Sequence, residues 1–137
     1  MTRRLLLGAL AGALLLGLPY QARAVAITGT VKNVPYVIAY RPLNTHDHPY
    51  MGQMHLDFTN GIISGTYSDI SVRPGSPLAN THNVSVSGGV SKTHVTLIIR
   101  QITFRGTASG QTMSGSTTIR GTMYEWHAQQ GTPGSGK

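Results

Sequence analysis

A short histidine-rich stretch holds the side chains of this sequence that are best suited to bind a metal ion. His46 and His48 flank Asp47, and His55 and Asp57 share one face of the strand predicted to follow. Imidazole and carboxylate groups are the ligands that Zn²⁺ takes where no thiol is present. The candidate zinc ligands are therefore His46, His48, His55 and Asp57. The alternative interpretation is that these are surface histidines in a polar loop.

The sequence lacks the usual residue patterns of catalysis. It contains no cysteine and no Gly-x-Ser-x-Gly motif, so neither common nucleophile is in place. Its four acidic residues are not spaced as an acid–base pair; they are Asp47, Asp57, Asp69 and Glu125. We expect a protein that is not an enzyme and that binds no cofactor other than the zinc ion considered above.

Aromatic residues near the first predicted loop are candidates for contacts with a ligand. Tyr36, Tyr40 and Tyr50 flank this loop, and Tyr67 and Trp126 lie at inward positions of later strands. Aromatic rings that carry a polar group suit the mouth of a barrel, where one edge is wet. These five residues are the predicted ligand-binding residues, and ordinary core packing is the alternative.

The first 24 residues have the features of a secretory signal peptide. Arg3 and Arg4 precede an apolar stretch at residues 5–18, and residues 22–24, Ala-Arg-Ala, fit a cleavage site. We expect an exported protein, periplasmic or secreted, that is not bound to a membrane after cleavage. An uncleaved N-terminal anchor is the alternative.

The remaining chain carries a moderate basic charge. The whole sequence has a formal net charge of +7, and without the three arginines of the first 24 residues it has 8 basic and 4 acidic residues, a net charge of +4. No basic cluster alternates with aromatic residues, so a nucleic acid is not an expected partner. Arg100, Arg105 and Arg120 predict either a modest basic patch for an acidic partner or charges that prevent aggregation of strand edges.

Alternation of apolar and polar residues with a period of two predicts β-strands throughout residues 25–129. A pattern of an apolar residue, any residue, glycine and then Thr, Ser or Gly occurs six times, with its glycines at Gly29, Gly65, Gly88, Gly106, Gly115 and Gly121. Because residues two apart share a strand face, each glycine is predicted to face the core. Glycine at such positions is typical of strands that bend, as barrel closure requires.

Breaks in this alternation predict the turns. Asn60-Gly61 is a strong hairpin signal, and the apolar face changes parity at Arg100-Gln101 and again before Tyr124. A further hairpin is predicted around Gly88-Gly89. Loops are predicted at residues 41–51 and 71–80, and two separate opening strands at residues 25–31 and 35–40.

Seven to nine short strands joined by tight turns predict an all-β fold. The sequence favours a small antiparallel up-and-down barrel of about eight strands, formed as a single domain by residues 25–129. A β-sandwich with two packed sheets is the alternative. The Gly-rich residues 130–137 are predicted to form a disordered tail.

The glycine-punctuated strands resemble those of the calycin group of barrels, which includes lipocalins and avidins. Residues 63–67, Ile-Ser-Gly-Thr-Tyr, and the final aromatic strand at residues 124–126, Tyr-Glu-Trp, carry this resemblance. It implies a small closed barrel. The chain has Gly-Thr-Val at residues 29–31, where lipocalins usually carry a tryptophan, and Trp126 is its sole tryptophan. No biotin site or lipocalin ligand is therefore implied.

These observations lead us to expect an exported, non-catalytic binding protein. Its loops, or a small cavity, would contact a small ligand or a protein partner. One alternative is an exported zinc-binding protein that uses His46, His48, His55 and Asp57. Another is a periplasmic peptidase inhibitor that inserts a protruding segment, such as residues 41–51 or 72–80.

Overall fold

Eight antiparallel strands form one closed barrel in a computed structural model, which describes residues 28–132. Each strand pairs with the next along the chain, and the last pairs with the first. The strands are β1 (Thr30–Pro42), β2 (Tyr50–Thr59), β3 (Ile62–Asp69), β4 (Val84–Ser91), β5 (His94–Ile99), β6 (Ile102–Ser109), β7 (Thr112–Ile119) and β8 (Thr122–Gln130). The all-β barrel predicted from the sequence is confirmed, and the β-sandwich alternative is wrong because the sheet closes on itself.

Two predicted segments lie wholly or partly outside the residues that the structure describes. The predicted signal peptide, residues 1–24, lies outside the described residues, as do residues 133–137 of the predicted tail. Gln130, predicted to begin the tail, belongs to β8, and the Gly131 amide donates to the Pro35 carbonyl oxygen at 3.0 Å. No helix within residues 28–132 has the length and apolar character needed to span a membrane.

The interior of the barrel is occupied by side chains from every strand. The alternation is clearest in β2, where each even-numbered residue from Tyr50 to Phe58 is buried and the residues between them are half-buried. The fully buried side chains include large ones such as Tyr36, Leu56 and Phe104. An eight-stranded barrel has an interior just wide enough to be filled in this way.

Several of the predicted turns are present and two predictions are wrong. Asn60-Gly61 joins β2 to β3 with backbone φ values of 51° and 81°, and Arg100-Gln101 joins β5 to β6 as the parity change predicts. Gly88 and Gly89 lie inside β4, and the turn to β5 is at residues 92–93 instead. The two opening strands are one strand, β1, in which the register with β2 shifts between Val31 and Val34.

Four of the six patterned glycines allow neighbouring strands to approach closely. A Cβ atom built on Gly65, Gly88, Gly106 or Gly115 would lie 1.9–2.2 Å from a backbone oxygen of the adjacent strand. Any side chain at these inward positions would push the two strands apart. The prediction is wrong for Gly29, which lies immediately before β1, and for Gly121, which lies in the turn from β7 to β8. Their φ values are 76° and 84°, and an added Cβ at either has no atom within 4 Å.

The two ends of the barrel differ in their connections. One end, called the loop end below, carries the connections at residues 43–49 and 70–83 together with the turns Arg100-Gln101 and Arg120-Gly121. The opposite end, the turn end, carries the three short turns at residues 60–61, 92–93 and 110–111 and the start of β1. Both long connections of the barrel therefore lie at the loop end.

Candidate functional site

The connection between β3 and β4 closes the loop end of the barrel. Ser76 and Leu78 project inward from this connection, and only 8% and 2% of their surfaces are exposed. The Leu78 amide donates to Ser76 Oγ at 3.1 Å, which fixes a compact turn at this point. A lipocalin-like open cup is therefore not present at this end, because the loop itself fills the opening.

A hydrogen-bonded cluster around Asp69 anchors this closing loop to the barrel wall. Asp69 Oδ1 accepts hydrogen bonds from Ser71 Oγ at 2.9 Å, from Ser76 Oγ at 3.0 Å and from the Tyr67 hydroxyl at 3.4 Å. Since Ser76 donates to Asp69, the Tyr40 hydroxyl, 3.1 Å from Ser76 Oγ, is the donor in that contact. The cluster satisfies polar groups that would otherwise be buried without partners.

The tyrosines of this cluster are held in their neutral form by their surroundings. Burial raises the pKa of Tyr67 above its usual value, and the nearby Tyr40 and Asp69 raise it further. Burial also raises the pKa of Tyr40. Desolvation likewise raises the pKa of Tyr124 at the rim. The hydroxyl groups therefore serve as hydrogen-bond donors and not as bases at neutral pH.

Arg73 ties the two long connections of the loop end to each other. Its guanidinium lies 4.5 Å from the centre of the Tyr50 ring and donates through Nη1 to the His48 carbonyl oxygen at 2.9 Å. Nη1 also lies 3.8 Å from Asp47 Oδ2. Because an arginine can stack on an aromatic face while its N–H groups hydrogen bond, one side chain fixes both loops.

The predicted ligand-binding residues are all packed within the barrel. Tyr36, Tyr40 and Tyr67 are at most 1% exposed, and Tyr50 and Trp126 are 6% and 3% exposed. The Trp126 ring lies 5.8 Å from that of Phe104, and its Nε1 donates to the Arg105 carbonyl oxygen at 2.9 Å. Their present contacts are those of core residues, so their contact with a ligand stays a prediction.

The predicted zinc ligands fall into separate environments. His46 and His48 are exposed in the connection at residues 43–49, whereas His55 is half-buried at an outward position of β2. Asp57 accepts a hydrogen bond from the Asn33 amide at 2.7 Å and so supports the irregular start of β1, where Asn33 has a φ of 58°. Within residues 28–132, no three His, Asp or Glu side chains come together as a metal-binding group.

The surface of the loop end combines apolar side chains with cations. Leu43, Val72 and Met123 are 43%, 92% and 46% exposed, and the Leu43 amide donates to the Met123 carbonyl oxygen at 2.8 Å. Arg100 and Arg120 occupy the two short turns of this end. Only Arg105 of the three predicted basic residues lies within a strand, on the outer face of β6.

Sequence reasoning missed Asp69, Ser76 and Arg73 as organisers of this end. The available signals were the position of Asp69 at the end of a predicted strand and the Arg-Pro-Gly-Ser run that begins at Arg73. Neither signal indicates which distant residue each side chain meets, because Tyr40 and Tyr50 come from other strands. The partners are brought together only when the barrel closes.

Comparison of the chain with models of known protein families, with curated proteins and with solved structures found no match.

Proposed function

We propose that this protein is an exported, non-catalytic binding protein that uses the loop end of a calycin-like barrel to bind another protein. The observation that carries the proposal is the preorganised pair of loops at residues 43–49 and 70–83, held by Arg73 and by the Asp69 cluster. Loops that are already ordered lose little conformational entropy when they bind. The signal-like residues 1–24 support export.

A protein partner is favoured over a small ligand because the barrel interior and its opening are filled. Ser76 and Leu78 occupy the loop end, and the residues predicted to line a mouth pack against one another. Small-molecule sites usually bury most of the ligand's surface, which the filled loop end of the barrel does not offer. The exposed apolar side chain of Val72 instead lies next to the positively charged Arg73, which is held in place by its contacts. An apolar residue beside an arginine is a combination found in protein interfaces.

The test first recovers a partner by crosslinking in the culture medium or periplasm of the source cells. The partner is then purified, and its affinity for the protein is measured. Replacing Leu43 and Val72 by serine removes exposed apolar surface without touching the core, so we expect the affinity to fall by about tenfold. The matched control is Ile62→Ser at the turn end, where the side chain is 65% exposed. Equal loss of affinity in both variants, or no loss in either, would overturn the assignment of the loop end.

A further inference from the structure

Strands β6 and β7 separate before they reach the loop end. Their paired positions run from Ser109↔Thr112 to Arg105↔Ser116 and stop there. Both strands continue for three more residues, β6 back to Ile102 and β7 on to Ile119. Over this stretch each strand keeps its pairing with its other neighbour, β5 or β8. The wall of the barrel therefore opens into a groove between β6 and β7.

A side-chain hydrogen bond crosses the groove, and the groove has two adjoining parts. Thr117 Oγ1 donates to the Thr103 carbonyl oxygen, and this contact crosses the gap between the strands. One part, of about 490 Å³, lies at the rim beside Pro77, and the other, of about 440 Å³, lies on the outer wall beside Met123. Gln101 and Thr118 line both parts. A ligand in the groove would thus lie on the outer wall, above the Thr117–Thr103 contact.

Three arginines surround this groove without acidic partners. Arg100 and Arg120 line the rim part and Arg105 lines the wall part. The ion pairs within residues 28–132 are formed by Arg41 and Arg73, and none of the three arginines of the groove takes part in one.

All four acidic residues of the chain have other interactions. Asp47 lies near Arg73, Glu125 pairs with Arg41 at 2.8 Å, Asp57 accepts from the Asn33 amide, and Asp69 anchors the closing loop. No carboxylate of the described chain is left to neutralise the arginines of the groove, so the charge of the groove is complementary to an anionic ligand.

Two of these arginines stand at backbone positions that ordinarily favour other residues. Arg100 and Arg120 have φ values of 58° and 52°, in the left-handed region where glycine and asparagine are preferred. Lys92 has the same conformation at the turn end, with a φ of 57°. The left-handed conformation places both arginine side chains in the turns at the rim of the groove.

We infer that the groove between β6 and β7 binds an extended, acidic segment of a protein. Carboxylates on such a segment would pair with the three arginines, and Gln101, Thr103 and Thr118 offer polar groups for its backbone. Single-stranded nucleic acids are bound by stacking of bases on exposed aromatic side chains, whereas every Phe, Tyr and Trp side chain within residues 28–132 is at most 9% exposed. The inference rests on the proposed protein-binding function and names the chemistry of the partner.

The test uses a capped hexapeptide of alternating glutamate and threonine, in which extended backbone places every carboxylate on one face. Binding to the ¹⁵N-labelled protein is followed by NMR, with the matching glutamine–threonine peptide as the uncharged control. We expect amide shifts at residues 100–105 and 116–120 and at least tenfold weaker binding of the glutamine peptide. Equal binding of the two peptides, or shifts confined to other regions, would overturn the inference.

The variant for this test is Arg100→Asn with Arg105→Thr and Arg120→Asn. Asparagine tolerates the left-handed conformation, and threonine suits an exposed strand position, so the fold is retained. We expect about tenfold weaker binding of the glutamate peptide, because three exposed ion pairs are lost. Lys92→Asn is the matched control, since it removes one cation from the same kind of turn at the other end, and it should leave the affinity unchanged.

Two further outcomes separate this inference from the proposed function. If the arginine variant binds the glutamate peptide as tightly as the unaltered protein, the groove inference fails while the serine test at Leu43 and Val72 still stands. If a sulfated polysaccharide shifts the groove amides and the glutamate peptide does not, the groove binds a different class of ligand and the inference is wrong.

Discussion

Gly106 shows how one residue determines the spacing of two strands. Its backbone lies directly opposite Gly115, and an added Cβ would lie 1.9 Å from the Ser114 carbonyl oxygen. Trp126, opposite Gly115 on the other side, donates across β7 to the Arg105 carbonyl oxygen. The absence of side chains at the two glycines is what allows this ring to reach β6.

We therefore expect Gly106→Ala to destabilise the protein by about 1–3 kcal/mol or more, because a backbone oxygen cannot move away as a flexible side chain can. Gly89→Ala is the control, since its added Cβ would lie 3.2 Å from the Gly61 carbonyl oxygen, a far smaller overlap that a shift of a few tenths of an ångström relieves. Urea unfolding measures both variants. If the two midpoints fall equally, the close approach at Gly106 is not what stabilises this region.

The buried tyrosines give the protein a defined sensitivity to alkaline pH. Burial raises the folded-state pKa values of Tyr40, Tyr67 and Tyr124 above the ordinary tyrosine value of 10.0. Above pH 10 the unfolded chain loses these protons more readily than the folded protein does, so stability falls as pH rises. Below pH 10 both states are protonated, and these groups contribute no pH dependence.

We expect the free energy of unfolding to decrease above pH 10 by up to about 1.4 kcal/mol per pH unit for each tyrosine that stays neutral. Urea unfolding at a series of pH values measures this slope. Tyr67→Phe should be less stable at pH 8 and should show a smaller slope above pH 10. An unchanged slope in that variant would show that Tyr67 ionises equally in both states.

At the scale of elements, Arg73 determines whether the two long loops act as one surface. Its contacts with Tyr50 and with the His48 carbonyl connect residues 70–83 to residues 43–49. Lysine at this position keeps the charge but has neither the planar group for stacking nor the same N–H geometry. Replacing Arg73 by lysine should therefore change the order of the two loops and not the net charge of the protein.

We expect Arg73→Lys to lower stability by about 0.5–2 kcal/mol and to speed amide hydrogen exchange in both loops. Arg100→Lys is the control, because Arg100 makes no ion pair within the described part of the chain. Faster exchange limited to residues 70–83 would contradict the role of Arg73 in connecting the two loops. Amide hydrogen exchange followed by mass spectrometry, at the resolution of single peptides, distinguishes the two loops.

At the scale of the whole molecule, closure produces a barrel whose interior is already filled. β8 pairs with β1 over seven positions, from Tyr36↔Gln130 to Pro42↔Tyr124. Side chains of all eight strands then meet in a single core. Because protein cores are packed at close to crystal density, we expect an apolar ligand to enter this core only after a core side chain is removed.

We expect benzene to leave the unfolding midpoint of the unaltered protein unchanged. Leu97, which is fully buried, provides the comparison: Leu97→Ala should cost about 2–5 kcal/mol and create an apolar cavity. Benzene should then raise the midpoint of this variant. Stabilisation of the unaltered protein by benzene would reveal an internal cavity and favour the cavity-binding alternative.

Much of the fold could be predicted because its signals are local. Alternation with a period of two identified the strands, and the Asn60-Gly61 pair and the parity change at Arg100-Gln101 identified turns from adjacent residues alone. The same local rules misplaced the turn at Gly88-Gly89, since glycine also serves where strands approach closely. A Cβ atom added to Gly88 would lie 1.9 Å from the Thr96 carbonyl oxygen on β5. No local signal in the sequence distinguishes a glycine needed for such a close approach from a glycine in a turn.

The candidate site depended on contacts between residues that are distant in the sequence. The sequence by itself determined the inward face of each strand, the basic residues and the two long connections. Only the tertiary structure decided that Ser76 enters the barrel to meet Tyr40 and that Arg73 stacks on Tyr50. It also decided that β6 and β7 separate beyond Arg105. These features arise when the barrel closes, because closure sets which strands, loops and charges become neighbours.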